Sequence, residues 1–163
     1  MMGQFKIRAC AAVAGAALIV LAAHGQFLSS NKTDAVAFLS PAQATVPAGK
    51  PSLINLRFRV AQGLHINSHI PSGDYLIPTT LSIPDGAGAR LDAAIYPNGS
   101  LISLPIDPKN KLSVYTGEFV IQARIVSTAG SHTIQAKLHY QACDQHQCLP
   151  PKTITIPIQV TGK

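Results

Sequence analysis

The chain has 163 residues, room for one globular domain, and with 47% hydrophobic and only 12% charged residues it is too apolar to be disordered. Its formal net charge is +6, but Lys6 and Arg8 belong to an N-terminal leader and the other cations are scattered, without a run. Aromatics make up 6% and Trp is absent, so the clustered basic face with interleaved aromatics that nucleic-acid binding needs is missing, and that class is excluded.

Residues 1–25 read as a secretory signal peptide. Two cations precede an uninterrupted apolar stretch from Ala11 to Ala23, and Ala23-His24-Gly25 sets small residues at the −3 and −1 positions before Gln26. The stretch is shorter than the roughly 20 residues of a membrane-spanning helix, so cleavage is expected, with no membrane span in the mature chain. Cys10 precedes the apolar stretch, which argues against a lipoprotein site, and leaves with the leader. Export to the periplasm then puts the remaining pair, Cys143 and Cys148, in an oxidising compartment.

Residues 26–35 form a polar lead-in expected to be flexible, and residues 36–163 the single domain. Ser52 to Val60 alternates Ile54, Leu56, Phe58 and Val60 with Asn55, Arg57 and Arg59, the mark of a strand with one buried face. Weaker strand patterns cover Leu64 to His69, Leu76 to Ile83 and Leu91 to Tyr96. Stronger ones follow: Glu118 to Val126, with Phe119, Ile121, Ala123 and Ile125 inward, and Ser131 to Ala142, with Ile134, Ala136, Leu138 and Tyr140 inward. Thr153 to Val160 closes the chain. Between them stand turn signals such as Pro71-Ser72-Gly73-Asp74, Pro84-Asp85-Gly86 and Pro97-Asn98-Gly99. Short strands so punctuated predict an all-β, immunoglobulin-like, two-sheet antiparallel sandwich.

Cys143 ends a strand and Asp144-Gln145-His146-Gln147 forms a polar loop before Cys148. A hairpin there brings the two Cα atoms within the about 4.4–6.8 Å that a disulfide spans. Closing so short a loop removes only about 2 kcal/mol of unfolded-state entropy. Three uses stay open on spacing alone: a structural staple, thiol exchange at an accessible hairpin tip, or metal binding. A zinc or copper set of Cys143, Cys148, His146 and His139 has suitable ligand types, but its spacing is unusual and an oxidising compartment opposes free thiolates. His65, Asn67 and His69 alternate along one strand; about 13 Å separates His65 from His69, too far to share an ion, and solvated strand histidines are expected. His146, if protonated, would stabilise a neighbouring thiolate; as a plain polar loop residue it would do nothing. No Ser-His-Asp arrangement, phosphate-binding glycine loop or carboxylate pair is present, and no cofactor is expected.

The stretch from Tyr140-Gln141-Ala142-Cys143 to Cys148-Leu149-Pro150-Pro151 resembles the redox motif of the N-terminal periplasmic domain of the DsbD-type thiol:disulfide interchange proteins. That family has a Tyr-Gln-small-Cys start and a Cys-apolar/aromatic-Pro-Pro end. Gly63-Leu64-His65-Ile66-Asn67-Ser68, the segment Tyr75-Leu76-Ile77-Pro78-Thr79 and a strand starting at Val114-Tyr115 look like the same domain. The resemblance implies an immunoglobulin-like fold and a Cys143/Cys148 pair that passes electrons between a membrane-embedded donor, here a separate protein, and thioredoxin-like periplasmic partners. It also implies that the second cysteine, Cys148, exchanges with partners, and it places Tyr140 and His65 beside the pair. The family's cap loop corresponds to Ser100 to Pro108, where Leu101, Ile102, Leu104 and Ile106 stand with Asp107 as the only acid. An aliphatic lid over the sulfurs, carried by Leu104 and Ile106, is expected. Four residues separate the cysteines here and five in the best-known members. The competing class is an immunoglobulin-like binding or assembly module with a purely structural disulfide.

Overall fold

The computed structural model describes residues 34–39, 42–105 and 107–163; the expected signal peptide and most of the lead-in fall outside them. In chain order the strands are Val36–Phe38 (β1), Ala42–Val46 (β2), Pro51–Val60 (β3), His65–Asn67 (β4), Thr80–Ser82 (β5), Ala89–Ile95 (β6), Ser100–Leu104 (β7), Asp107–Tyr115 (β8), Glu118–Ser127 (β9), Gly130–Tyr140 (β10), Ala142–Cys143 (β11) and Lys152–Gly162 (β12). No helix occurs among the described residues.

Two four-stranded sheets form an immunoglobulin-like sandwich, in the orders β1-β3-β9-β6 and β2-β12-β10-β5. Pairing is antiparallel except for β2, which runs parallel to β12. The inward sets expected from alternation are the core: Ile54, Leu56, Phe58 and Val60 of β3, Phe119, Ile121, Ala123 and Ile125 of β9, and Ile134, Ala136, Leu138 and Tyr140 of β10 are all buried, joined by Ile156, Ile158 and Val160 of β12. Each fully buried aliphatic or Phe side chain contributes about 1.5–3 kcal/mol. Phe58 stacks on Phe119 with ring centroids 5.2 Å apart, and Tyr115 stacks on Phe119 at 4.8 Å. The outward residues of β3 face water, where Arg57 and Arg59 converge on Glu118.

A third sheet, β11-β4-β8-β7, was not part of the two-sheet expectation, and it holds the cysteines. Its β8 reads exposed over most of its length, so it carries no alternation to recognise; it exists because β7 pairs with it, and Val114-Tyr115 ends this strand instead of starting one. Pro108 falls at the register shift in that pairing, where a residue without an amide hydrogen breaks no ladder bond. The strand expected from Ser131 to Ala142 also divides. β10 stops at Tyr140, and after Gln141 the chain changes sheets, so that Ala142 and Cys143 pair with Ile66 and His65 of β4. Of the Leu76 to Ile83 segment only Thr80–Ser82 is strand, because residues 68–79 cross over β4 and are tied to it: Thr79 Oγ1 donates to the Asn67 carbonyl at 2.6 Å, and the Thr79 amide to the Ser68 carbonyl at 3.2 Å. At the other end of the chain Asp34 pairs with Lys152, and buried Ala35 accepts a hydrogen bond from the Ala61 amide at 2.9 Å, so these two residues pack with the domain.

Candidate functional site

Cys143 and Cys148 are disulfide-bonded across a hairpin, with Cα atoms 3.9 Å apart, closer than the about 4.4–6.8 Å expected from the loop. The reason is the register. Leu149 N–H donates to the Ala142 carbonyl at 2.8 Å and Asp144 N–H to the Gln147 carbonyl at 2.9 Å, so the cysteines occupy the non-hydrogen-bonded position, the closer of the two cross-strand sites. Asp144 holds the loop: its Oδ1 accepts from the amides of His146 at 2.7 Å and Gln147 at 2.8 Å. Those two bonds, His146 first, hold its carboxyl below the usual carboxylate range.

The two sulfur-bearing residues differ in access. Cys143, pinned in the third sheet, is 3% exposed, whereas Cys148 lies on the surface ahead of Leu149, Pro150 and Pro151. Their outer face closes a cleft of about 180 Å³ lined by the hairpin loop with His65, Asn67, Leu76, Leu104 and Leu112.

His65 stands opposite Cys143 in the β4–β11 pairing and is 5% exposed. The turn before it needs Gly63, whose φ of 80° is in the left-handed region, and closes with a Leu64 N–H to Ala61 carbonyl bond of 3.1 Å. Burial pulls the His65 imidazole below the ordinary histidine value, against the opposing charge of Asp144. The expectation of solvated strand histidines is therefore overturned. β4 lies between β11 and β8 and under residues 68–79, which buries His65 and half-buries His69; the latter stacks on Tyr96 at 3.8 Å and donates from Nδ1 to the Thr79 carbonyl at 3.0 Å.

Of the other residues singled out in the sequence, Leu104 lines the cleft and His146 is an exposed member of its loop wall. Ile106 lies outside the described residues. Within the expected lid, Leu101 is 65% exposed, because alternation along β7 turns it away from Leu104. Tyr140 is buried on a different side, where it lines a groove of about 320 Å³ with Asp34, Leu64, Leu149 and Pro150 and does not reach the sulfur cleft. His139 bonds Thr153 Oγ1 through Nδ1 at 3.0 Å, away from the cysteines. Among the described residues no group of three or more His, Cys, Asp or Glu side chains is placed to hold a metal ion. Sequence reading did not single out Asn67, Leu76 and Leu112 for the cleft. The His65-Ile66-Asn67 alternation was the available signal for Asn67, but nothing local marks Leu112 on a strand that reads as exposed.

No curated protein matches the chain. Among solved structures it is similar to the DsbD N-terminal domain of Neisseria meningitidis in the reduced form, at 18% sequence identity over 71% of this chain and 82% of that one, with a TM-score of 0.48. The family model for the N-terminal region of the thiol:disulfide interchange protein DsbD matches residues 35–159, which takes in every strand from β1 to β11 and most of β12. With a disulfide hairpin at the Cys143/Cys148 motif and a match over most of its length, the chain belongs to the DsbD N-terminal family of thiol:disulfide interchange proteins.

Proposed function

We propose that the protein is exported to the periplasm and there carries electrons through the Cys143/Cys148 pair, to or from thioredoxin-like proteins and in exchange with a separate membrane-embedded donor. The observation that carries this reading is the asymmetry of the pair: one sulfur-bearing residue enclosed at 3% exposure and its partner on the surface, in a hairpin of the interchange family. A partner thiolate attacks the sulfur it can reach. In the reducing direction that attack forms a bond to Cys148 Sγ, breaks the Cys143–Cys148 bond and releases Cys143 as the thiolate. The partner's second thiol then displaces Cys148, leaving the partner oxidised and this protein a dithiol. In the oxidising direction Cys143 resolves the Cys148 mixed disulfide from across the hairpin. Leu104 screens the cleft side of the pair. Family membership and the absence of a long apolar helix among the described residues support a carrier acting outside the membrane.

Two measurements test this. The reduction potential of the pair should lie in the range of exchange proteins; a value below about −300 mV would mark a structural bond. Cys143→Ala should accumulate mixed disulfides with a thioredoxin-like protein, and Cys148→Ala should accumulate few. Equal trapping by both rejects the assigned roles, and trapping by neither returns the bond to a staple.

A further inference from the structure

Two polar atoms in the sulfur cleft have no partner. His65 Nε2 and Asn67 Oδ1 are shut off from solvent, and neither meets a hydrogen-bonding group. Few buried polar groups in folded proteins are left so, and each one that is costs stability. Their placement follows from the strand. His65 and Asn67 alternate along β4, so their side chains leave the same face, and both line the cleft that holds Cys143 and Cys148. His65 is the direct cross-strand neighbour of Cys143. The Asn67 amide is oriented by its nitrogen, which donates to the Ile77 carbonyl at 3.0 Å, so the oxygen is the free end.

A disulfide has no hydrogen to donate, whereas a dithiol has two. We propose that His65 and Asn67 are the acceptors of the reduced site: the Cys143 thiol donates to His65 Nε2, with Asn67 Oδ1 beside it as the second acceptor, so that the cleft is fully bonded only as the dithiol. The inference rests on the exchange reading above and names the residues that bias the equilibrium. Its chemistry balances without a further reagent. The two hydrogens lost by the partner's thiols end on Cys143 and Cys148, the partner gains the disulfide, and the imidazole accepts a hydrogen bond without changing its charge. The titratable groups that share the cleft with His65 are Asp144 and His146 of the loop and the cysteines themselves; Leu76, Leu104 and Leu112 supply apolar walls from the other elements. Burial keeps the imidazole uncharged at neutral pH and therefore able to accept. Because the acceptors favour the dithiol, they make this protein a stronger oxidant than the hairpin alone would be.

The test equilibrates the whole chain with a glutathione buffer at pH 7 and compares it with His65→Phe, Asn67→Leu and the double variant. Each substitution should shift the equilibrium toward the disulfide, His65→Phe by about tenfold, which is about 30 mV for a two-electron couple. An unchanged equilibrium in folded variants overturns the inference. Should the variants fail to fold, nitrogen NMR of the unaltered protein decides it: the His65 Nε2 resonance should move on reduction with dithiothreitol, and a resonance that stays in place refutes the hydrogen bond. A protein that shows both effects but forms no mixed disulfide with a thioredoxin-like partner keeps its acceptor pair and loses the carrier role. One that exchanges normally with both readouts flat keeps the role and loses the acceptor pair.

Discussion

Reduction of the Cys143–Cys148 bond should leave the domain folded, and the structure sets how much it can cost. The bond closes a loop of sequence separation 5, for which the chain-entropy model gives about 2 kcal/mol. The core lies elsewhere. Leu56, Phe58, Ile121, Ile125, Ile134, Leu138, Ile156 and Ile158 have no exposed surface, and all belong to the two sheets of the sandwich, not to the hairpin. Cutting one of them, Leu56→Ala, should cost about 2–5 kcal/mol, as much as opening the disulfide or more. Urea titrations of the oxidised and reduced forms, followed by circular dichroism, should give parallel transitions. At a slope of about 1–3 kcal/mol/M, the midpoint of the reduced form should lie lower by about 0.7–2 M. A reduced chain that is unfolded without denaturant would refute the reasoning, since a carrier must be stable in both states. So would a reduction penalty well above that of Leu56→Ala.

Leu104→Ser, with Leu112→Ser as a second case, should speed alkylation of the reduced thiols by a bulky maleimide, because both side chains wall the cleft; unchanged rates would mean that they shield something else. Burial lowers the His65 pKa below 6.5, so below that pH the unfolded chain binds the proton more readily than the folded one. Stability should be full above about pH 6.5 and fall as pH drops, by at most about 1.4 kcal/mol per unit, and His65→Phe should flatten this limb in denaturant midpoints taken from pH 5 to 7. The lowered Asp144 carboxyl acts in a more acidic window: its contribution is present above about pH 3.8 and is lost as pH falls through its folded value, so Asp144→Asn should lower stability above that pH and flatten the acid limb. Phe58→Ala, which removes the ring between Phe38 and Phe119, should cost about 3–5 kcal/mol in the same titrations, and a loss below about 1 kcal/mol would mean that the aromatic cluster is not central to the core.

The long strands of the sandwich were legible because each buries one face and shows water the other. Ile54, Leu56, Phe58 and Val60, or Ile134, Ala136, Leu138 and Tyr140, alternate with polar residues whatever the rest of the chain does, and that period of two is a local property of sequence. The hairpin at Cys143 and Cys148 was legible for a similar reason, since a polar four-residue loop between two cysteines can close on itself. The surroundings of the sulfurs were decided only by tertiary structure. β8 is a strand because β7 and β4 lie beside it, not because Asp107, Pro108, Lys109 and Asn110 favour one. The change of sheet after Tyr140 left no mark in an unbroken alternation, yet it is what brings Cys143 against His65. A histidine between apolar neighbours on an alternating stretch, as His65 is between Leu64 and Ile66, reads as solvated; His65 is buried because β11 and β8, both distant in sequence, flank β4 and the 68–79 segment closes over it. Alternation reports which face of a strand is apolar. Whether a polar face is also covered depends on pairing between segments far apart in the chain, which no local pattern encodes.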